Sequence, residues 1–331
     1  MNVGNWRVAA TVIFAFAVSL PAWPADWNPR LAAVYLDQRQ EQWAAWPVAK
    51  APGGTCISCH TGMTYLLARP MLRKALGETE PTTFETNLLE GLRTRQANDQ
   101  SMFPGLQKEP LKSQARNVEA ALAVLLLGPS NKPAWDHGPS SDGGFKLNLD
   151  PWESERSEYF SATIAAIGAA RVGERAPGLT KYLKQEFPNQ PLHHKVMALW
   201  AGVLDKPMRS GLLDDIWKLQ APDGGWTDEA LGPWQPRPAK PDTQGASSAY
   251  ATALITFALQ QAGVGCSDPR SERARKWLKA RQNADTGAWS SSSMNKKFPE
   301  GSMQIRFMDD AATGFAVMAL LDQGRCAGPQ M

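Results

Sequence analysis

Beyond Pro110 the chain alternates between two kinds of apolar pattern. Segments 113–127, 159–172, 193–203, 247–262 and 309–323 are apolar or small on most faces. Segments 179–186, 211–219 and 271–281 set Leu, Ile or Trp on one side against charges on the other. Each ends in Gly, Pro or Ser, which stop helices. A helix apolar all round is buried, and one with a single apolar stripe covers it, so the alternation predicts two layers of helices. Strand-like alternation is nearly absent, and the expected fold is all-α. Residues 26–110 differ: they are Trp-rich and Pro-punctuated, with helices expected around 29–46, 63–75 and 83–98.

One linker repeats. Ile216-Trp-Lys-Leu-Gln220-Ala-Pro-Asp-Gly224-Gly-Trp226 returns as Trp277-Leu-Lys-Ala-Arg-Gln282-Asn-Ala-Asp-Thr-Gly287-Ala-Trp289, each copy ahead of an apolar helix. A helix, Gly-Trp loop and helix cannot bury its apolar face alone, so copies must pack side by side, in an α/α toroid or solenoid. An aliphatic residue, three others, Gln and then Gly-x-Trp resembles the QW motif of squalene-hopene cyclases and their relatives, over roughly residues 150–325. Trp277, Leu278, Gln282, Gly287 and Trp289 match fully; the earlier copy has Asp215 where an aromatic is expected. The resemblance implies a terpenoid-cyclase-like α/α toroid of repeated helix pairs, with the Gln capping a helix end and stacking on the Trp. These residues would be structural. Such toroids serve enzymes and non-enzymes alike, so function must come from the site.

The N-terminus modifies the picture. Arg7, an apolar run from Val8 to Leu20 and a Pro/Ala segment to Ala25 read as a secretory signal peptide over 1–25, with an uncleaved anchor as the alternative. That run is shorter than the roughly 20 residues a bilayer span needs, and no later segment qualifies. The mature chain is therefore expected in the periplasm, without a transmembrane span. A net charge of +3 from 35 basic and 32 acidic residues forms no basic stripe and excludes a nucleic-acid partner on electrostatic grounds.

The four cysteines fall into one tight and one distant pair. In Cys56-Ile-Ser-Cys59-His60 two thiols are spaced to add to the vinyl groups of a haem, and the adjacent imidazole can reach the iron. We therefore expect one covalent haem c on Cys56 and Cys59, with His60 as the iron ligand. The alternatives are a CxxC disulfide or half of a zinc site, for which His137, His193 and His194 are remote in sequence. Together with this motif and Asn148-Leu-Asp-Pro-Trp-Glu-Ser154, the chain resembles bacterial proteins that join an N-terminal haem motif to prenyltransferase/squalene-cyclase repeats. The expected organisation is a signal peptide at 1–25, a helical haem-binding segment at 26–110 and a toroid at 111–331.

Met102, in Ser-Met-Phe-Pro, is the first candidate for the second axial ligand; Met71, Met63 and His137 follow, and simple packing is the alternative. Cys266 and Cys326 lie in an oxidising compartment and are expected to pair. In an α/α toroid the inner helices preceding them run parallel, so both ends reach one rim; the bridge would close a loop of about 60 residues. Asp309 and Asp310 open an apolar helix and resemble the end of the cyclase acid motif Asp-x-Asp-Asp-Thr-Ala, whose first Asp is Phe307 here. They could protonate an alkene or simply cap the helix. Asp150, Trp152, Glu153, Glu155 and Glu158 also precede an apolar helix and suit its N-terminus. His193 and His194 are expected to be partly exposed polar residues.

Three functions follow from this reading. The first is an extracytoplasmic monohaem c-type cytochrome-like protein passing electrons to or from a partner protein or a small, apolar ligand in the toroid. The second is an isoprenoid cyclase or prenyltransferase-like enzyme using Asp309 and Asp310. The third is a non-enzymatic haem-bearing binding module.

Overall fold

The structure, a computed structural model, describes residues 27–98, 111–128, 158–171, 173, 177–233, 245–264, 267–294 and 297–322, without the side chains of 111–118. Among them the chain is almost wholly helical: α1 Pro29–Ala45, α2 Thr64–Leu76, α3 Thr83–Ala97, α4 Leu111–Leu127, α5 Glu158–Arg171, α6 Pro177–Glu186, α7 Leu192–Ala201, α8 Lys206–Lys218, α9 Asp228–Leu231, α10 Ala249–Gln261, α11 Pro269–Lys279 and α12 Phe307–Leu321. The described strands, β1 Lys50–Ala51 and β2 Gly54–Thr55, form one short antiparallel hairpin. No described helix is long and apolar enough to cross a membrane.

Local chemistry sets the helix ends. The Asn28 side chain accepts from the amides of Arg30 and Leu31, and Pro29 fits the first turn of α1 because that turn needs no N–H from it. Thr82 and Glu85 close a reciprocal capping box on α3. Helix α8 starts earlier than its apolar stripe suggested, because Asp205 accepts from the Met208 amide and starts the helix ahead of the stripe. Left-handed Gly77 and Gly202 end α2 and α7.

The two expected layers are present in the burial pattern. Helix α10 buries every residue from Ala249 to Gln260, and α12 every residue from Met308 to Leu320. By contrast α6 buries Leu179 and Leu183, and α8 Leu212 and Ile216. His193 and His194 depart from expectation: both are buried, at 0% and 4% exposure, because α7 packs between α5 and α10 and has no solvent face there.

The buried helices touch in the order α2, α12, α10, α7, α5, α4, and α3 lies against α4. Two seams admit no side chain: a Cβ on Gly314 of α12 would come within 2.6 Å of Thr64 on α2, and one on Gly168 of α5 within 2.7 Å of the α4 backbone. The contacts of α2 with α12 and of α3 with α4 run across the boundary expected at residue 110. Helix α2, from the N-terminal segment, is the neighbour of the chain's last helix.

The repeated linker explains how. In the first copy the Gln220 amide donates to Gly224 O and Arg270 O, both at 2.9 Å, tying the loop to the start of α11. In the second, Gln282 donates to Gly287 O at 3.0 Å and to Asn28 O at 2.9 Å, tying the loop to the start of α1. Trp226 and Trp289 are fully buried and donate their indole N–H to Ile216 O and Leu278 O. Their amides donate to Thr252 and Thr313 of the following helix, both at 3.0 Å. Helix α1 thus receives the second loop as α11 receives the first.

At the other end of these helices Gln260 donates to Ala319 O at 2.9 Å and Gln261 bonds to Asp322, so α10 and α12 finish side by side. Cys266 and Cys326, expected to pair there, lie outside the described residues.

Candidate functional site

The Cys-x-x-Cys-His segment is held from three sides. Gly53 and Gly54 take positive φ values of 73° and 139° and turn the hairpin that leads into it. Cys56 N–H donates to Ala49 O at 2.9 Å, and Trp43 donates its indole N–H to Cys56 O at 2.8 Å. Arg95 of α3, paired with Glu119 of α4 in full burial, donates to Pro52 O at 3.0 Å. Cys59–Met63 then form a single π-type turn, begun by the Ser58 hydroxyl accepting from the amides of Thr61 and Gly62, and it runs directly into α2. Such turns are rare inside helices and concentrate at functional sites.

Cys56 is buried and Cys59 half-buried, and they are not bridged to each other. Burial pushes both thiols up to about 12, the nearby Arg95 only partly offsetting it at Cys56. Burial thus favours the neutral thiol form at both positions. Among the described residues no group of three or more His, Cys, Asp and Glu side chains could hold a metal ion, so the zinc alternative gains no further ligand there.

His60 is enclosed by aromatics. Phe307 stacks on its ring at 3.6 Å with an 18° interplanar angle, and Trp43 meets it edge-on at 5.4 Å. Its Nδ1 lies 2.8 Å from Thr61 Oγ1, and that hydroxyl donates to Asp310 Oδ2 at 2.7 Å. Asp310 also accepts from Tyr35 at 2.9 Å and from the Arg39 guanidinium at 2.7 and 3.0 Å. Tyr35 and Arg39 sit one turn apart on α1, on the same face. Burial and the adjacent aspartates raise the Tyr35 phenol, keeping it a donor.

The two aspartates point in different directions, and neither makes a side-chain cap bond although both stand in the first turn of α12. Helix α12 begins at Phe307, with Arg306 at the cap position. Consecutive residues on a helix point about 100° apart. Asp310 turns toward α1 and the Cys-x-x-Cys-His turn. Asp309 turns toward Ser291, accepting its amide at 2.8 Å, with Arg306 at 3.4 Å. Burial raises the Asp309 carboxyl to about 6, against the Ser291 N–H and Arg306, which lower it.

Asp309 lines a cleft of about 630 Å³ together with Asp228, Ser248, Trp277, Arg281 and Ser291. Its walls divide about evenly between polar and apolar surface, with hydroxyls, carboxylates and guanidinium groups beside Trp277 and Ile305, so it offers hydrogen bonds as well as apolar contact. Met63 is buried in the core and Met71 packs against it. Met102, His137, Asp150, Trp152, Glu153 and Glu155 lie outside the described residues, and Glu158 opens α5.

The sequence thus showed Cys56, Cys59, His60, Asp309 and Asp310 but not that Asp310 meets the Cys-x-x-Cys-His turn while Asp309 faces a separate cleft. Thr61, Tyr35, Arg39, Trp43 and Phe307 were missed as partners. The one available signal was Phe307, standing where the acid motif has Asp. No protein-family model matches the chain, and no curated protein matches it.

Proposed function

We propose that the chain is a monohaem c-type redox protein whose helix pairs close into an α/α ring, with the haem attached where the ring's last helix meets its first pair. The observation that carries this reading is the convergence, in one turn docked on α12, of two unbridged thiols and an imidazole. Cys56 and Cys59 would hold the haem as thioethers and His60 would ligate its iron; the bound group supplies one-electron transfer. The donor set fits the group: two unbridged thiols and an imidazole stand in one turn, and the imidazole ring is clamped by Phe307 and Trp43.

The chain's own residues do the rest. Arg95, Trp43 and Ser58 fix the turn, and Asp310 anchors it to α12. The cleft beside Asp309 binds a polar, hydrogen-bonding ligand or a partner's polar side chains, so the electron is exchanged next to the ring's rim. An isoprenoid reaction is disfavoured by the same residues, because Asp310 is committed to Arg39 and Asp309 faces hydroxyls. The signal-peptide-like N-terminus supports a periplasmic setting, where haem c is attached.

A pyridine haemochrome spectrum of the full chain, produced with c-type maturation factors, tests the reading. Covalent haem in the wild type that disappears in Cys56→Ala/Cys59→Ala is the expected result. A haem-free wild type would overturn it.

A further inference from the structure

We propose that Asp310 and Thr61 are positioning residues that set the tautomer of His60, placing its ring proton on Nδ1 and its lone pair on Nε2. The argument is a count of donors and acceptors. Asp310 receives Tyr35 and the Arg39 Nε on one oxygen, and the Arg39 Nη2 and Thr61 on the other. Two carboxylate oxygens have about four lone-pair sites, and all four are used, so Asp310 is the acceptor at each of these contacts.

Thr61 owns a single hydroxyl proton. With a carboxylate oxygen 2.7 Å away, that proton must point at Asp310, because the opposite orientation would face lone pair against lone pair beside a charge. The Thr61 oxygen therefore meets Nδ1 of His60, at 2.8 Å, with its own lone pairs, and only a protonated Nδ1 completes that bond. In a neutral imidazole the other nitrogen is then the acceptor. Phe307 stacked at 3.6 Å and Trp43 edge-on keep the ring from turning over and exchanging its nitrogens.

This arrangement selects the tautomer that an imidazole in water favours less, and it is the one a metal taken at Nε2 requires. A hydrogen bond at the far nitrogen orients a ligating histidine and raises its basicity. The Thr61 hydroxyl would relay the Asp310 charge to that bond. The consequence for iron rests on the haem reading above; the tautomer does not.

The test is ¹⁵N NMR of the histidine rings in the full-length chain produced without haem-maturation factors. His60 is expected to show a protonated Nδ1 and a non-protonated Nε2. Thr61→Val should move the proton to Nε2, and Thr61→Ser should restore it. Both variants keep the Asp310–Arg39 pair, and the wild-type reading needs no variant. Wild-type His60 protonated at Nε2 alone or at both nitrogens, or an Nδ1 proton that survives in Thr61→Val, would overturn the proposal. In the haem-loaded chain Thr61→Val should raise the midpoint potential and Thr61→Ser should bring it back; an unchanged potential in Thr61→Val would overturn the relay to iron. Failure of the haem reading would look different: no haemochrome, with the Nδ1–H tautomer intact.

Discussion

The two copies of the Gln-Gly-Trp loop are built alike and lead to different chemistry. Each Trp donates its indole to the helix behind and its amide to a threonine on the helix ahead, Thr252 for Trp226 and Thr313 for Trp289. Counting back equally from those threonines, Ser248 and Ala249 stand on α10 where Asp309 and Asp310 stand on α12. Ser248 caps its helix through the Ala251 amide, and Ala249 is plain core. Asp310, at the position of Ala249, reaches Arg39 and Thr61 because its neighbours are α1 and α2. The frame is common to both copies; the charge appears only where α12 meets the Cys-x-x-Cys-His turn.

The largest effect should come from removing that charge. Asp310→Ala leaves Arg39 buried and unpaired and is expected to cost about 3–5 kcal/mol in a denaturant titration, whereas Arg39→Met/Asp310→Leu should recover most of it. A loss below about 1 kcal/mol in Asp310→Ala would show that α12 carries no more chemistry than α10.

A region away from the charge should lose stability in the same direction as a salt-bridged carboxylate, as pH falls, but in a higher pH window. Burial holds His194 down at about 4 and His193 well below its ordinary value, against Gln190 and Tyr250 as their hydrogen-bond partners. The unfolded chain binds more protons below about pH 6.5, so stability should fall as pH drops from there through about 4. For His194 alone the loss reaches about 3 kcal/mol. Unfolding free energies at pH 7 and pH 4.5 should differ less in His194→Gln than in wild type; an equal slope would refute the burial argument.

The seam between chain ends provides a smaller test. Gly314→Ala on α12 against α2 and Gly168→Ala on α5 against α4 should each cost about 1–3 kcal/mol by overpacking. Comparable melting shifts are expected if α2 is a full member of the ring; a harmless Gly314→Ala would mean that it docks loosely.

Smallest and most nearly equal should be Trp226→Phe and Trp289→Phe. Each loses one buried indole bond and some volume, about 1–2 kcal/mol, and the two should agree because the joints are alike. A much larger loss at Trp289 would show that the second joint depends on the Cys-x-x-Cys-His turn.

Much of this fold could be read from the sequence. Helix positions followed from apolar periodicity and stop residues, and the inner and outer layers from how much of each face is apolar. The packing of α1 and α2 against the second loop and α12 was not legible, because they lack the Gln-Gly-Trp signature and are recognised only by what docks on them. His193 and His194 were misjudged since nothing local tells a buried imidazole from an exposed one. The site itself splits the same way. Cys56, Cys59 and His60 announce themselves through spacing within five residues, whereas Asp310 meets Thr61 across 249 positions and Arg39 looks like any surface charge on a helix.

The most direct measurement of the central claim is the mass of the tryptic peptide that runs from Ala51 to Arg73, since the Arg69-Pro70 bond resists trypsin, and contains Cys56, Cys59 and His60. From chain exported with c-type maturation factors and treated with an alkylating reagent, the account predicts a peptide heavier by one haem, with neither thiol alkylated. A peptide carrying two alkylated cysteines and no haem would contradict it.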